Sequence, residues 1–175
     1  MKLLCCDLDD TIALTANAVE LIACQFDIKE FGGRGILDRN IVCSDYYYFE
    51  AMLHWTRQQS TQFFQHCYPD YLKKLNPLPN VATSLKILKE HGWSIIILSA
   101  RRLRNDSDVE EITKTWLYEN SIIYDKLMLN CLDKNDIVLS EGASEFIDDS
   151  IKNCCDLMPQ LAGHIWLMNT PYNQI

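Results

Sequence analysis

An α/β fold built on a parallel sheet is predicted by three observations. Short apolar runs alternate with segments of helical periodicity, the pattern of βαβ units. Three of those runs end directly in side chains able to do chemistry. The length, 175 residues, suits one domain, or one carrying a modest insert, at about 100–200 residues per domain, and excludes two large ones.

Residues 2–7 form an apolar run ending in acid, too short for a helix and suited to a fully buried parallel strand. Residues 15–29 place Ala18, Val19, Leu21, Ile22, Ala23 and Phe26 on an approximate helical face, with Thr15 as the capping candidate and a stop near Phe31, Gly32 and Gly33. A mixed, Gly-containing stretch follows. Residues 46–59 and 61–75 then read as helices rich in aromatics: Tyr46, Tyr47, Tyr48, Phe49, Trp55, Phe63, Phe64, Tyr68 and Tyr71. The prolines of Asn-Pro-Leu-Pro-Asn at 76–80 break that pattern as the hinge of an insert would, and a helix follows to about His91.

The run Trp-Ser-Ile-Ile-Ile-Leu at 93–98 is the strongest strand signal, followed at once by Ser99, Ala100, Arg101 and Arg102. A helix is expected over 108–120, a strand over 126–129 and a helical turn over 134–139. The strand at 145–147 ends in Asp148 and Asp149, a helix runs to about Met158, and 164–168 is the last strand.

Apolar residues at 48% and charged ones at 23% are those of a folded globular protein. The N-terminus meets acids too early for a signal peptide, and no run approaches the ~18 apolar residues of a membrane span. A cytoplasmic protein, with no membrane partner, is expected. The net charge of −8 argues against binding a nucleic-acid polymer through its backbone, which needs a basic face. An anionic substrate would instead be met by a local cluster or a metal. The eight cysteines show no C-x-x-C pair and read as small buried apolar residues rather than a zinc or redox site.

Ligands in open parallel sheets bind at the carboxyl ends of the strands. Here Asp7 with Asp9, Ser99, and Asp148 with Asp149 all fall at such ends. Carboxylates gathered at one edge repel one another and lose hydration. A hard cation resolves this, and Mg²⁺ takes one or two carboxylates plus waters and phosphate oxygens. Asp7, Asp148 and the backbone carbonyl of Asp9 would begin such a shell.

The string Asp7-Leu8-Asp9-Asp10-Thr11 after one strand, Ser99 after a second, Lys134 before a short helix and Asp148-Asp149 after a third resemble the four motifs of the haloacid dehalogenase (HAD) superfamily of phosphohydrolases. The resemblance implies a Rossmann-like core at 1–14 and 80–175, with a helical cap at 15–79 that closes over the site. It implies that Asp7 is the nucleophile, forming an aspartyl phosphate, and that Asp9 is first general acid and then general base. Ser99, Ala100, Arg101 and Lys134 would bind the phosphoryl group, Asp7, Asp9 and Asp148 would hold Mg²⁺, and Thr11 and Asp149 would support them, Asp149 as ligand or as partner of one. Lys126 competes with Lys134, which is favoured because it lies past a strand end rather than before one.

Within the superfamily the chain is similar to the 5′(3′)-deoxyribonucleotidases in the size of the cap, in Asp133-Lys134 and in a late Pro171-Tyr172-Asn173. Animal members of that family usually have Gly at the position of Asp10 and Thr at that of Ser99. The implied activity is phosphate release from nucleoside monophosphates. A phosphosugar or other small metabolite is the alternative substrate, and a non-catalytic phospho-ligand binder the alternative class. Tyr46, Phe49, Trp55 and Phe64 are candidates to stack a base; aromatics at helical spacing also build cores.

Overall fold

The computed structural model describes residues 2–41, 48–101, 108–170 and 172–173, Tyr48 by its backbone alone. The expectations for Tyr46, Arg102 and Pro171 lie outside those residues. Five strands, β1 (Leu3–Asp7), β2 (Ser94–Leu98), β3 (Lys126–Met128), β4 (Glu145–Asp148) and β5 (His164–Leu167), form one parallel sheet in the order β3-β2-β1-β4-β5. Every residue of β1 is buried, as a central strand covered on both faces requires.

Chain connectivity moves outward from β1 through β2 to β3, then returns to the other side of β1 for β4 and β5. Connections leave β1 in opposite directions, which opens a crevice at its carboxyl end. Leu98 of β2 lies opposite Asp7, and Ile147 of β4 lies opposite Cys6. Asp7 and Asp148 therefore finish their strands at the same level.

Between β1 and α4 (Val81–Glu90) the chain forms α1 (Thr15–Phe31), α2 (Tyr48–Met52), α3 (Arg57–Cys67) and a 3-10 turn (Asp70–Lys74). Helix α1 buries Ala16, Val19, Ala23 and Asp27 along one stripe and stops at Gly32, whose φ of 64° is the left-handed cap that glycine adopts readily. Leu14, not Thr15, occupies the capping position. The expected helix over 46–59 is shorter in the described residues. Leu53 and His54 leave it in a turn, with His54 at φ 55°, and Thr56 restarts the chain through a reciprocal capping box with Gln59.

Phe26, Phe49, Trp55, Phe63 and Phe64 pack edge-to-face in this region, with ring centroids 5.1–6.4 Å apart. Their cluster is continuous with Leu4, Ile95 and Ile97 on one face of the sheet. The ends of the helical segment are held together where Ala13 pairs with Pro77, Leu14 N–H donates to Asn76 and Leu78 N–H to Ile12. Helices α5 (Val109–Glu119), α6 (Asn135–Ser140) and α7 (Ile151–Leu157) complete the layers. Cys5, Cys6, Cys131 and Cys154 are buried, Cys24 and Cys67 half-buried and Cys155 exposed, all as free thiols. Among the described residues no helix is long and apolar enough to cross a membrane.

Candidate active site

Asp7 and Asp148 are buried at adjacent strand ends, and Asp149 follows in the loop to α7. One oxygen from each of these three acids lies within 4.8 Å of the others. Lys134, at the start of α6 and itself buried, donates from Nζ to Asp7 Oδ1 at 2.5 Å and to Asp148 Oδ2 at 2.9 Å. Asp148 also accepts from Ser150 N–H at 2.8 Å and from Asn153 Nδ2 at 3.2 Å. Burial pushes the Asp7 carboxyl well above its usual range; Lys134 opposes this, and Asp148, Asp149 and Asp9 add to it. Burial disfavours the charged Lys134, but Asp7 and Asp148 overcome that and hold it firmly protonated. Three hard oxygen donors converging at one buried point fit Mg²⁺.

Asp9 faces the other way. Arg101 donates from Nε to Asp9 Oδ2 at 3.0 Å and from Nη2 to Oδ1 at 2.8 Å, Thr15 Oγ1 donates to Oδ1 at 2.7 Å, and Ser99 Oγ to Oδ2 at 3.3 Å. Arg101 is in turn anchored by Nη1 on Thr113 Oγ1 at 3.0 Å. Burial raises the Asp9 carboxyl, yet the Arg101 charge and these hydrogen bonds outweigh it, so Asp9 stays below its usual value. Its carboxylate is not part of the three-acid cluster.

Asp10 has φ 59°, the left-handed conformation a glycine takes without cost. Here its side chain is used. Oδ1 accepts from Ala16 N–H at 2.7 Å and Oδ2 meets the Tyr172 hydroxyl at 2.9 Å. The same hydroxyl contacts Asp149 Oδ2. One phenolic proton cannot serve two ionised carboxylates, so the group is satisfied when one acid is protonated. Burial, together with neighbouring carboxylates, pushes Asp10 up to about 6 and raises Asp149 as well.

A cavity of about 920 Å³ opens over these groups, lined by Asp7, Asp9, Ala100, Arg101, Lys134, Asp148 and Asp149 from the sheet edge. Arg57, Ser60, Thr61, Phe64 and Gln65, a stripe at helical spacing on α3, line it from the other side with Glu50, Tyr71, Leu72 and Tyr68, which follows the end of α3. Of the four stacking candidates, Phe64 lines the cavity. Phe49 is core, and Trp55 donates Nε1–H to the buried Asp27 at 2.7 Å. Lys126 sits at the amino end of β3 in an exposed ion pair with Glu141, away from the site.

Not every expected contact is made. Thr11 is buried, but its hydroxyl has no hydrogen-bond partner. Ser99 meets Asp9 and accepts from Arg101 N–H at 3.1 Å. Thr15, Asn153 and Tyr172 touch the acids without having been identified as site residues. Thr15 resembles a helix cap in sequence, and Asn153 follows the acid pair at a spacing that one turn of α7 returns to Asp148.

Solved structures share the fold at low identity. A Bacteroides fragilis protein described as a haloacid dehalogenase-like hydrolase is 15% identical with a TM-score of 0.61, over 97% of this chain and 90% of that one. A HAD-superfamily hydrolase of subfamily IA from Geobacter sulfurreducens is 12% identical with a TM-score of 0.57, over 94% and 88%. The fold is that of the HAD-like hydrolases. A predicted phosphoglycolate phosphatase from Haemophilus somnus shares this HAD-like fold at 12% identity and a TM-score of 0.58, over 99% of this chain and 90% of that one. No family model and no curated protein matches the sequence.

Proposed function

We propose that the chain is a Mg²⁺-dependent phosphoric monoester hydrolase of the HAD superfamily acting on a small phosphorylated metabolite. The observation that carries this reading is Asp7, buried at the end of the central strand, in contact with Lys134 and clustered with two further carboxylates. A binding module has no need of Asp9 held beside such a nucleophile. Asp7, Asp148 and Asp149 would hold the metal, with the Asp9 carbonyl. The bound cation would lower the charge around Asp7 and polarise the phosphoryl oxygens.

In the first step an Asp7 oxygen bonds to phosphorus as the ester P–O bond breaks, and a proton that Asp9 has taken up from solvent against the pull of Arg101 passes to the departing oxygen. In the second, Asp9 takes a proton from water, whose oxygen bonds to phosphorus as the Asp7–phosphorus bond breaks. Inorganic phosphate leaves and Asp7 is regenerated. Lys134 neutralises charge on Asp7 and the phosphoryl group, while Ser99, the Ala100 backbone and Arg101 border its oxygens. The helices at 15–79 act as the cap that restricts water and selects the leaving group.

A nucleoside monophosphate is the narrower reading. Phe64, Tyr68 and Tyr71 on the cavity wall favour it, because stacking contributes about 1–3 kcal/mol per base. The acidic chain suits such small esters rather than a polymer. The test is phosphate release with and without Mg²⁺ from sugar phosphates, phosphoglycolate, and 5′- and 3′-nucleoside monophosphates of both sugars. Mg²⁺-dependent release from at least one ester is expected, with a phosphoryl adduct on Asp7 in acid-quenched samples. No release from any of them overturns the reading, and preference for the sugar phosphates removes the nucleotide version.

A further inference from the structure

We propose that Tyr172, seated by Asn173, is a positioning residue for the carboxylate cluster, and that Mg²⁺ affinity depends on its hydroxyl. The inference rests on the reading that Asp7, Asp148 and Asp149 hold the cation.

The acids of the cluster are fixed by different means. Lys134 bridges Asp7 and Asp148, and Asp148 is held further by Ser150 N–H and Asn153. Asp149 lies beyond the end of β4, in the loop, and is gripped from the far end of the chain. The Tyr172 hydroxyl meets its side chain at Oδ2, and Asn173 Nδ2 donates to its backbone carbonyl at 2.8 Å. Asn173 is itself tied down, donating to Met168 O at 2.6 Å and accepting from Thr170 N–H at 2.9 Å.

Tyr172 does more than hold one acid. Its hydroxyl also reaches Asp10 Oδ2 at 2.9 Å, and Asp10 is fixed to the start of α1 through Ala16 N–H. One buried phenol thus spans the loop after β1 and the loop after β4, the two loops whose strand ends supply the cluster. A rigid ring pinned at its tip sets the separation of those loops before any cation arrives. Such outer partners commonly change metal affinity by about 10–100-fold.

Titration calorimetry of the full chain with MgCl₂, without substrate, reads this directly. Tyr172→Phe keeps the ring and removes the hydroxyl. It should weaken Mg²⁺ binding about tenfold and raise the Mg²⁺ concentration for half-maximal phosphate release by the same factor, with kcat at saturating Mg²⁺ within about twofold. A purely structural role would lower the melting temperature and leave the Mg²⁺ Kd in place. A Kd for Tyr172→Phe within about twofold of wild type overturns the proposal and leaves the phosphatase reading standing. A wild type that neither binds Mg²⁺ nor needs it for turnover overturns both. If Tyr172→Phe loses its cooperative melt, Asn173→Ala, which frees the Asp149 backbone and keeps the phenol, should weaken binding about threefold, and an unchanged Kd there overturns the proposal.

Discussion

Asp7 and Asp9 stand two residues apart at one strand end and live in opposite electrostatic surroundings. Asp7 shares a buried space with Asp148 and Asp149, and burial drives its carboxyl up despite Lys134. Asp9 has no such crowd. It lies under the Arg101 fork with the Thr15 and Ser99 hydroxyls, and its carboxyl is held down. The difference comes from strand register and loop geometry rather than residue type. Asp7 is level with Asp148 on one neighbouring strand, whereas Asp9 has turned toward the loop after the other. On the proposed mechanism two identical side chains are thereby given separate work: one would gather positive charge from a metal and a lysine, and the other would move a proton beside an arginine.

Substitutions that equalise the two environments test the contrast. The largest effect is expected for Asp7→Asn, which removes the proposed nucleophile. Phosphate release should fall at least about 10⁴-fold, with the circular dichroism spectrum and melting curve retained. Activity within tenfold of wild type would assign the attacking group elsewhere. Arg101→Gln should cost roughly tenfold in kcat/KM. It should also move the pH above which kcat/KM declines upward, because Asp9 keeps its proton to higher pH once the guanidinium is gone. A pH profile that does not move would show that Arg101 does not set the state of Asp9.

The smallest effect is on stability. The folded-state Asp10 carboxyl lies at about 6, above its usual 3.8, so its contribution to stability is complete below about pH 4 and is lost as the pH rises through about 6. Asp10→Asn should therefore flatten part of the fall in melting temperature between pH 4 and 6.5. Asp149, also raised, keeps the remainder. Equal slopes in the two proteins would show that Asp10 is not buried as an acid.

The strands and their acids were readable because a buried parallel strand is a short apolar run, and a functional strand end is where that run meets charge. Asp7, Ser99 and Asp148 follow from that rule, and the choice of Lys134 over Lys126 follows from Lys126 opening β3 while Lys134 comes after it, at the start of α6. Tertiary partners were less readable. Thr15 has the composition of a helix cap, yet its hydroxyl is used by an acid six residues earlier. The aromatics at 46–75 carry helical spacing, but a turn at His54 resets their phase, so Phe49 and Trp55 go inward while Phe64 reaches the cavity. Tyr172 meets partners 23 and 162 residues away, a distance at which no local pattern in the sequence carries information.

Buried cysteines lie close to the acid cluster in sequence, beside Asp7 in β1 and just after Asp149 in α7. Cys6 immediately precedes Asp7, and burial, reinforced by Asp7 and Asp148, pushes its thiol up; Cys5 and Cys154 reach about 12. A thiol with a pKa near 12 is ionised to about one part in 10⁵ at pH 7, so these sulfurs are inert toward peroxides and alkylating reagents. Cys155, exposed on α7, is the accessible contrast. It offers a natural point for attaching a fluorophore on the helix that follows the acids, where a spectroscopic reporter could follow ligand entry without any engineered residue.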